Sequence, residues 1–246
     1  MCSKYMYDVR LDPLKRSIGT KTRLYSELVM RRVGGVSTAP ARNRGNYART
    51  AERRQTIARA VLDLVLEKGH GGVTTAETAA RAGISEATVL YHFPSRDHLL
   101  VAALRRVFEE DDERLSAGLT ALDLDRLRTY ATGGPREITL LYTTLAGHAG
   151  TPGHPAREFF LEHYAEARDR WTAIIAARQR DGLAHPGLDP AETARQFLAT
   201  WDGLRAQWLI DPAFDLGDSL ISAFRRLTGQ NWMEVRDLLL ERGTGL

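Results

Sequence analysis

Residues 74–100 read TTAETAARAGISEATVLYHFPSRDHLL, and this stretch decides the fold. Thr74 is followed three residues later by Glu77, the spacing of a capping box, which predicts a helix from Thr75. Ala76, Ala79, Ala80 and Ala82 keep that helix slim enough to lie close against another. Gly83 ends it, because glycine takes the left-handed conformation of a helix terminus at little cost. Ser85 is placed to cap a second helix over Glu86 to His92. Phe93-Pro94 closes that helix, since a residue before proline is pushed out of the helical region. Ser95 then caps a third.

Two short helices joined by a glycine turn follow the helix-turn-helix plan, in which the second helix enters the DNA major groove. At 100° per residue, Val89 and Phe93 fall on one side of that helix, with Ile84 just before it, and are expected to bury. Ala87, Thr88 and Tyr91 lie roughly opposite and are expected to face outward.

The stretch resembles the TetR (tetracycline repressor) family of bacterial regulators. Thr74, Thr75, Ala79, Ala82, Gly83, Ser85, Thr88, His92, Phe93, Ser95 and Leu99 stand in register with the family pattern. Ile84 and Val89 are apolar variants, and Arg96 stands where lysine is usual. Thr78 occupies a position where isoleucine normally packs. Leu90 replaces a tyrosine that touches the DNA backbone in relatives, which removes one expected contact and leaves more to Tyr91. Farther along, Asp202-Gly203-Leu204 and Gln207-Trp208-Leu209 resemble the family's penultimate long helix, which pairs with its copy in a partner subunit.

Hydrophobic content of 43% and charged content of 26% are those of an ordinary soluble protein. No segment approaches the roughly 20 consecutive apolar residues of a membrane span, and no signal-peptide core opens the chain, so the expected location is the cytoplasm. The single cysteine, Cys2, allows neither an internal disulfide nor a cysteine-based zinc site. Net charge is only +3, but residues 1–54 carry 13 Lys/Arg against 4 Asp/Glu. A basic end on an acidic body directs a polyanionic partner toward the N-terminal end.

The expected fold is all-α. Residues 1–49 read as a basic, mostly disordered extension, with Met30 a candidate for the native start. Arg42, Arg44, Arg49, Arg53 and Arg54 are spaced to follow phosphates or enter a minor groove. Residues 50–96 make a helix-turn-helix DNA-binding domain, whose first helix, 50–68, carries an apolar stripe of Ile57, Val61, Leu62, Val65 and Leu66. Residues 97–246 make a helical effector-binding and dimerisation domain. Its helices are expected near 95–116, 123–131, 135–148, 155–180, 189–210, 217–228 and 231–241.

For DNA, Thr75 at a helix N-terminus offers its hydroxyl and backbone N–H to a phosphate. Ser85, Glu86, Ala87 and Thr88 open the recognition helix, where base edges are nearest. Glu86 is suited to accept from cytosine, and Ala87 or the Thr88 methyl to meet thymine methyls. The resemblance implies that Tyr91 and His92 position the backbone, and Arg96 is expected to clamp a phosphate.

Enzymatic signatures are lacking. Glu158, Glu162 and His163 share a helix, but a di-iron bundle needs Glu-x-x-His pairs on two helices. There is no glycine-rich phosphate loop, zincin motif or nucleophile elbow. No catalytic residue, metal or cofactor is expected. Tyr142, His148, Phe160, His163, Tyr164, Trp171 and Trp201 read either as an ordinary core with hydrogen-bonded polar tips or as a pocket for a small, partly aromatic effector, which the resemblance favours. It also implies a homodimer on a double-stranded, pseudo-palindromic operator, released by the effector. The helices around Trp201–Trp208 and Leu220–Leu227 are expected to form the subunit interface. The rival class is a helical scaffold whose helix-turn-helix merely packs.

Overall fold

The computed structural model describes the backbone of residues 41–116 and 124–243, and the side chains of 48–109 and 124–236. The described residues are helical with no strand. The helices are α1 (Ala41–Lys68), α2 (Thr75–Ala82), α3 (Glu86–His92), α4 (Arg96–Ser116) and α5 (Leu124–Thr132). They continue as α6 (Arg136–His148), α7 (Ala156–Arg180), α8 (Pro190–Ile210), α9 (Leu216–Leu227) and α10 (Gln230–Gly243). None is long and apolar enough to cross a membrane among the described residues.

One expectation fails at once. α1 begins at Ala41 rather than near Thr50, so residues 41–49 are not the disordered segment expected. No proline lies between Pro40 and Lys68, so nothing in the sequence obliges the helix to stop short of that point. The expected disorder of residues 1–40 lies outside the described residues.

The described residues from Glu52 onward form one compact unit with two apolar clusters. The first joins α1–α4 to α6 and α7, through Ile57, Val61, Val89, Phe93, Leu104, Leu141 and Phe160 among others. The inner edge of α1 is Ile57, Val61, Leu64 and Val65, all buried, whereas Leu66 is 41% exposed. Leu64 lies seven residues after Ile57 and belongs to the stripe in place of Leu66. The second cluster gathers α5, α7, α8 and α9 around Trp171, Ile175, Phe197, Trp201, Leu220 and Phe224.

Leu220 and Phe224 are wholly buried within this one chain, so they are core residues and not the subunit interface expected of them. α8 starts with Pro190 at its first turn and Asp189 as cap, accepting from the N–H groups of Ala191 and Glu192. Asp215 caps α9 in the same way through the N–H of Asp218.

Candidate nucleic-acid interface

Local chemistry builds this end of the molecule. The Thr74 hydroxyl accepts from the Glu77 N–H at 3.2 Å, as a cap should. The Glu77 carboxylate accepts from that hydroxyl (2.8 Å) and from Lys68, a variant of the reciprocal box. Gly83 ends α2 at φ 65°. The Gly83 N–H reaches Ala80 O and the Ile84 N–H reaches Ala79 O, the paired bonds of a Schellman turn. Ser85 caps α3 by accepting from the Thr88 N–H, and its hydroxyl pairs with that of Thr88 at 2.8 Å. Phe93 leaves the helix in an extended conformation, as its following proline requires.

Packing fixes which face of α3 looks out. Val89 is fully buried and Phe93 nearly so, and Ile84 packs on the same cluster. Thr78, at the isoleucine position, is also fully buried. Its hydroxyl donates to Thr74 O at 2.7 Å, so burying it leaves no unmet polar group. Glu86, Ala87, Leu90 and Tyr91 are exposed, Tyr91 to 83%. Thr75, Ser85, Glu86, Ala87, Thr88, Tyr91 and His92 are thus brought together on and beside one short helix. Thr75 donates its hydroxyl to the Glu86 carboxylate, tying α2 to α3.

Arg96 departs from expectation. Its Nε donates to Val73 O at 2.9 Å and its Nη2 to His70 O. The guanidinium is turned inward onto the carbonyls of the loop before α2, so it is a structural tie and not the phosphate clamp expected. Arg54, expected to run along phosphates, donates to His92 O at 2.7 Å and lies 4.3 Å over the Phe93 ring. It thereby satisfies one of the orphan carbonyls at the end of α3. Arg81 is paired with Glu67 through both nitrogens of its fork, which holds the Glu67 carboxyl below its usual range. Burial, then Arg54 and Arg53, depress the His92 imidazole below its ordinary value. Leu90, which in the sequence reads only as a lost contact, is 44% exposed. Its 40° offset from Glu86 around the helix was the signal that it belongs to the outer face.

The seven aromatic and histidine residues of the body divide between the two apolar clusters, with His148 apart from both. Tyr142, Phe160, His163 and Tyr164 cluster with Phe108, their rings 4.5–6.2 Å apart in successive contacts. Tyr164 donates to Asp202 at 2.6 Å, and Arg205 lies 4.4 Å over Tyr142. Burial, then the bond to Asp202, pushes the Tyr164 hydroxyl up to about 12. Trp171 and Trp201 belong instead to the second cluster, packed against Phe197. His148 faces solvent beside His154, whose Nε2 lies 3.3 Å from Asp97 on α4. His148 lies on the side of Leu141 but is the last residue of α6, where it is exposed. A cleft of about 400 Å³ elsewhere is walled by Ala131, Thr139, Trp208, Phe214 and Leu216. None of the seven lines it. Among the described residues no group of three His, Cys, Asp or Glu is placed to hold a metal.

Comparisons with known proteins bear on this end of the chain and on the whole. The model of bacterial regulatory proteins of the tetR family matches residues 57–103. The repressor KstR of Rhodococcus jostii is 43% identical over 63 residues, 26% of this chain and 30% of that protein. A TetR-family transcriptional regulator from Rhodococcus sp., known as a crystal structure, is 26% identical, with a TM-score of 0.57, covering 72% of this chain and 99% of that one. An imidazolonepropionase of Methylobacterium sp. is 27% identical over 184 residues, 71% of this chain and 44% of that protein. The chain spans less than half the length of these curated relatives.

Proposed function

The chain belongs to the TetR family of bacterial regulatory proteins, and from that premise we propose that it is a DNA-binding transcription regulator of the cytoplasm, without enzymatic activity. It acts as a homodimeric repressor on a double-stranded, pseudo-palindromic operator and is released by a small-molecule effector. Residues 50–96 are the reading head, and residues 97–246 the effector-binding and dimerisation body. The observation that carries this reading is the outer face of α3. It is a seven-residue helix capped at its start, with Tyr91 83% exposed and Val89 fully buried behind it. A helix this short is marginal alone, yet several separate contacts hold it in place with its outer face uncovered.

In this reading, two copies of α3 enter successive major grooves, one turn of duplex apart. An effector that binds the unsuitable spacing better lowers DNA affinity by linkage. The first apolar cluster supports such coupling, because Leu141, Leu145, Phe159 and Phe160 of the body pack into the same core as Val89 and Phe93. The effector's site includes the Tyr142–Tyr164–Asp202–Arg205 group, where aromatic faces adjoin a fixed carboxylate and guanidinium.

Footprinting the purified chain on the intergenic DNA beside its own gene tests this. Protection of two half-sites, about 10 base pairs or a multiple apart, is expected. No protected site at a salt concentration where the protein remains folded would sink the proposal.

A further inference from the structure

The seven residues of α3, Glu86 to His92, include no arginine, lysine, asparagine or glutamine. Those are the side chains that make bidentate hydrogen bonds to guanine or adenine edges. Two of its four polar side chains, Glu86 and Thr88, are already engaged. The Glu86 carboxylate accepts from Thr75, and the Thr88 hydroxyl pairs with Ser85. Four cations near the motif are engaged within the chain: Lys68 with Glu77, Arg81 with Glu67, Arg54 with His92 O and Arg96 with the carbonyls of His70 and Val73.

On its outer face α3 carries Glu86, whose carboxylate is tied to Thr75, and beside it the apolar Ala87 and Leu90 and the ring of Tyr91. Leu90 is 44% exposed, on a helix whose buried side is already filled by Val89. Within a major groove one feature of the four bases is apolar, the C5-methyl of thymine. A leucine and an alanine one helical turn apart can cover such methyls on neighbouring base pairs, and burying them is favourable without any hydrogen bond.

We propose that Leu90, with Ala87, determines operator specificity by packing on thymine methyl groups, so that each half-site is read as a pattern of methyls and not of hydrogen-bonding edges. This rests on the regulator reading given above. The position that seemed to lack a backbone contact becomes a base-reading position.

The test begins by selecting duplexes from a random library with the whole chain, then replacing each thymine of the half-site singly by deoxyuridine, which removes only the methyl. At one or two positions, affinity at fixed salt should fall roughly fourfold per methyl, the value of one buried methyl-sized group. Leu90→Ala should lose a similar factor on the thymine operator and be indifferent to uracil at the same position. Its exposed site leaves the fold intact, which an unchanged melting temperature verifies. Full affinity with uracil at every position would overturn the proposal, as would undiminished methyl dependence in Leu90→Ala. A library that yields no enriched sequence would instead overturn the regulator reading itself.

Discussion

The reading head and the body hold together by different means. In residues 74–100 each turn has a nearby cause: a threonine cap, a left-handed glycine, a serine cap, a residue before proline. Between α5 and α9, order comes from aromatic side chains far apart in sequence, with Trp171 and Phe197 in ring contact with each other and each with both Trp201 and Phe224. The first kind of order shows in the local pattern of a sequence. The second shows only once the helices have met.

The largest effect should come from breaking the body. Phe224→Ala removes a fully buried ring from the second cluster and should cost about 3–5 kcal/mol of stability, read from the urea midpoint. A loss below roughly 1 kcal/mol would show that the cluster is looser than its burial implies. Next comes Arg96→Ala, which strips the loop carbonyls of two charge-assisted bonds and should cost roughly 2 kcal/mol. As a structural tie, its loss should leave the salt dependence of DNA binding unchanged. A slope smaller by about 0.9 would return it to the role of a phosphate clamp.

Ser85→Ala should cost about 1 kcal/mol, and in the head alone. Hydrogen exchange should then rise in α3 while the amides of α7 and α8 keep their protection.

Acid should act on the head more gently still. His92 lies below its ordinary 6.5 through burial and then Arg54 and Arg53, and His70 through burial and then Arg96. Both imidazoles bind protons more readily in the unfolded chain, so stability is full above about pH 6.5 and falls as pH drops through that value. Denaturation midpoints at about pH 7.5 and pH 5.5 should show this fall, reduced in Arg96→Ala. An unchanged midpoint would contradict it.

The contrast also explains what the sequence disclosed. Thr74, Gly83, Ser85 and Phe93 were legible because each acts on its own backbone or that of a residue within a few positions. The start and end of α8 were legible for the same reason, from Asp189-Pro190 and Asp211-Pro212. Arg96 was not, because its partners lie 23 and 26 residues away and an exposed-looking arginine resembles any phosphate ligand. The exposure of His148 is not legible, because a stripe at helical spacing does not say where along α6 the neighbouring helices stop covering it. Trp171 and Trp201 read as one group with Tyr142, because helical spacing alone does not separate two neighbouring clusters. Leu90 reads as an absence, since its identity departs from the family while its exposure shows only in the folded helix.

In the proposed reading, α3 presents a preformed face for duplex DNA. The most direct measurement is competition between the selected operator and a random duplex for the whole chain, across a salt series. The operator should bind at least about 10³-fold tighter, with log affinity for both duplexes falling linearly against log salt. Equal affinity for the two, or binding indifferent to salt, would contradict it.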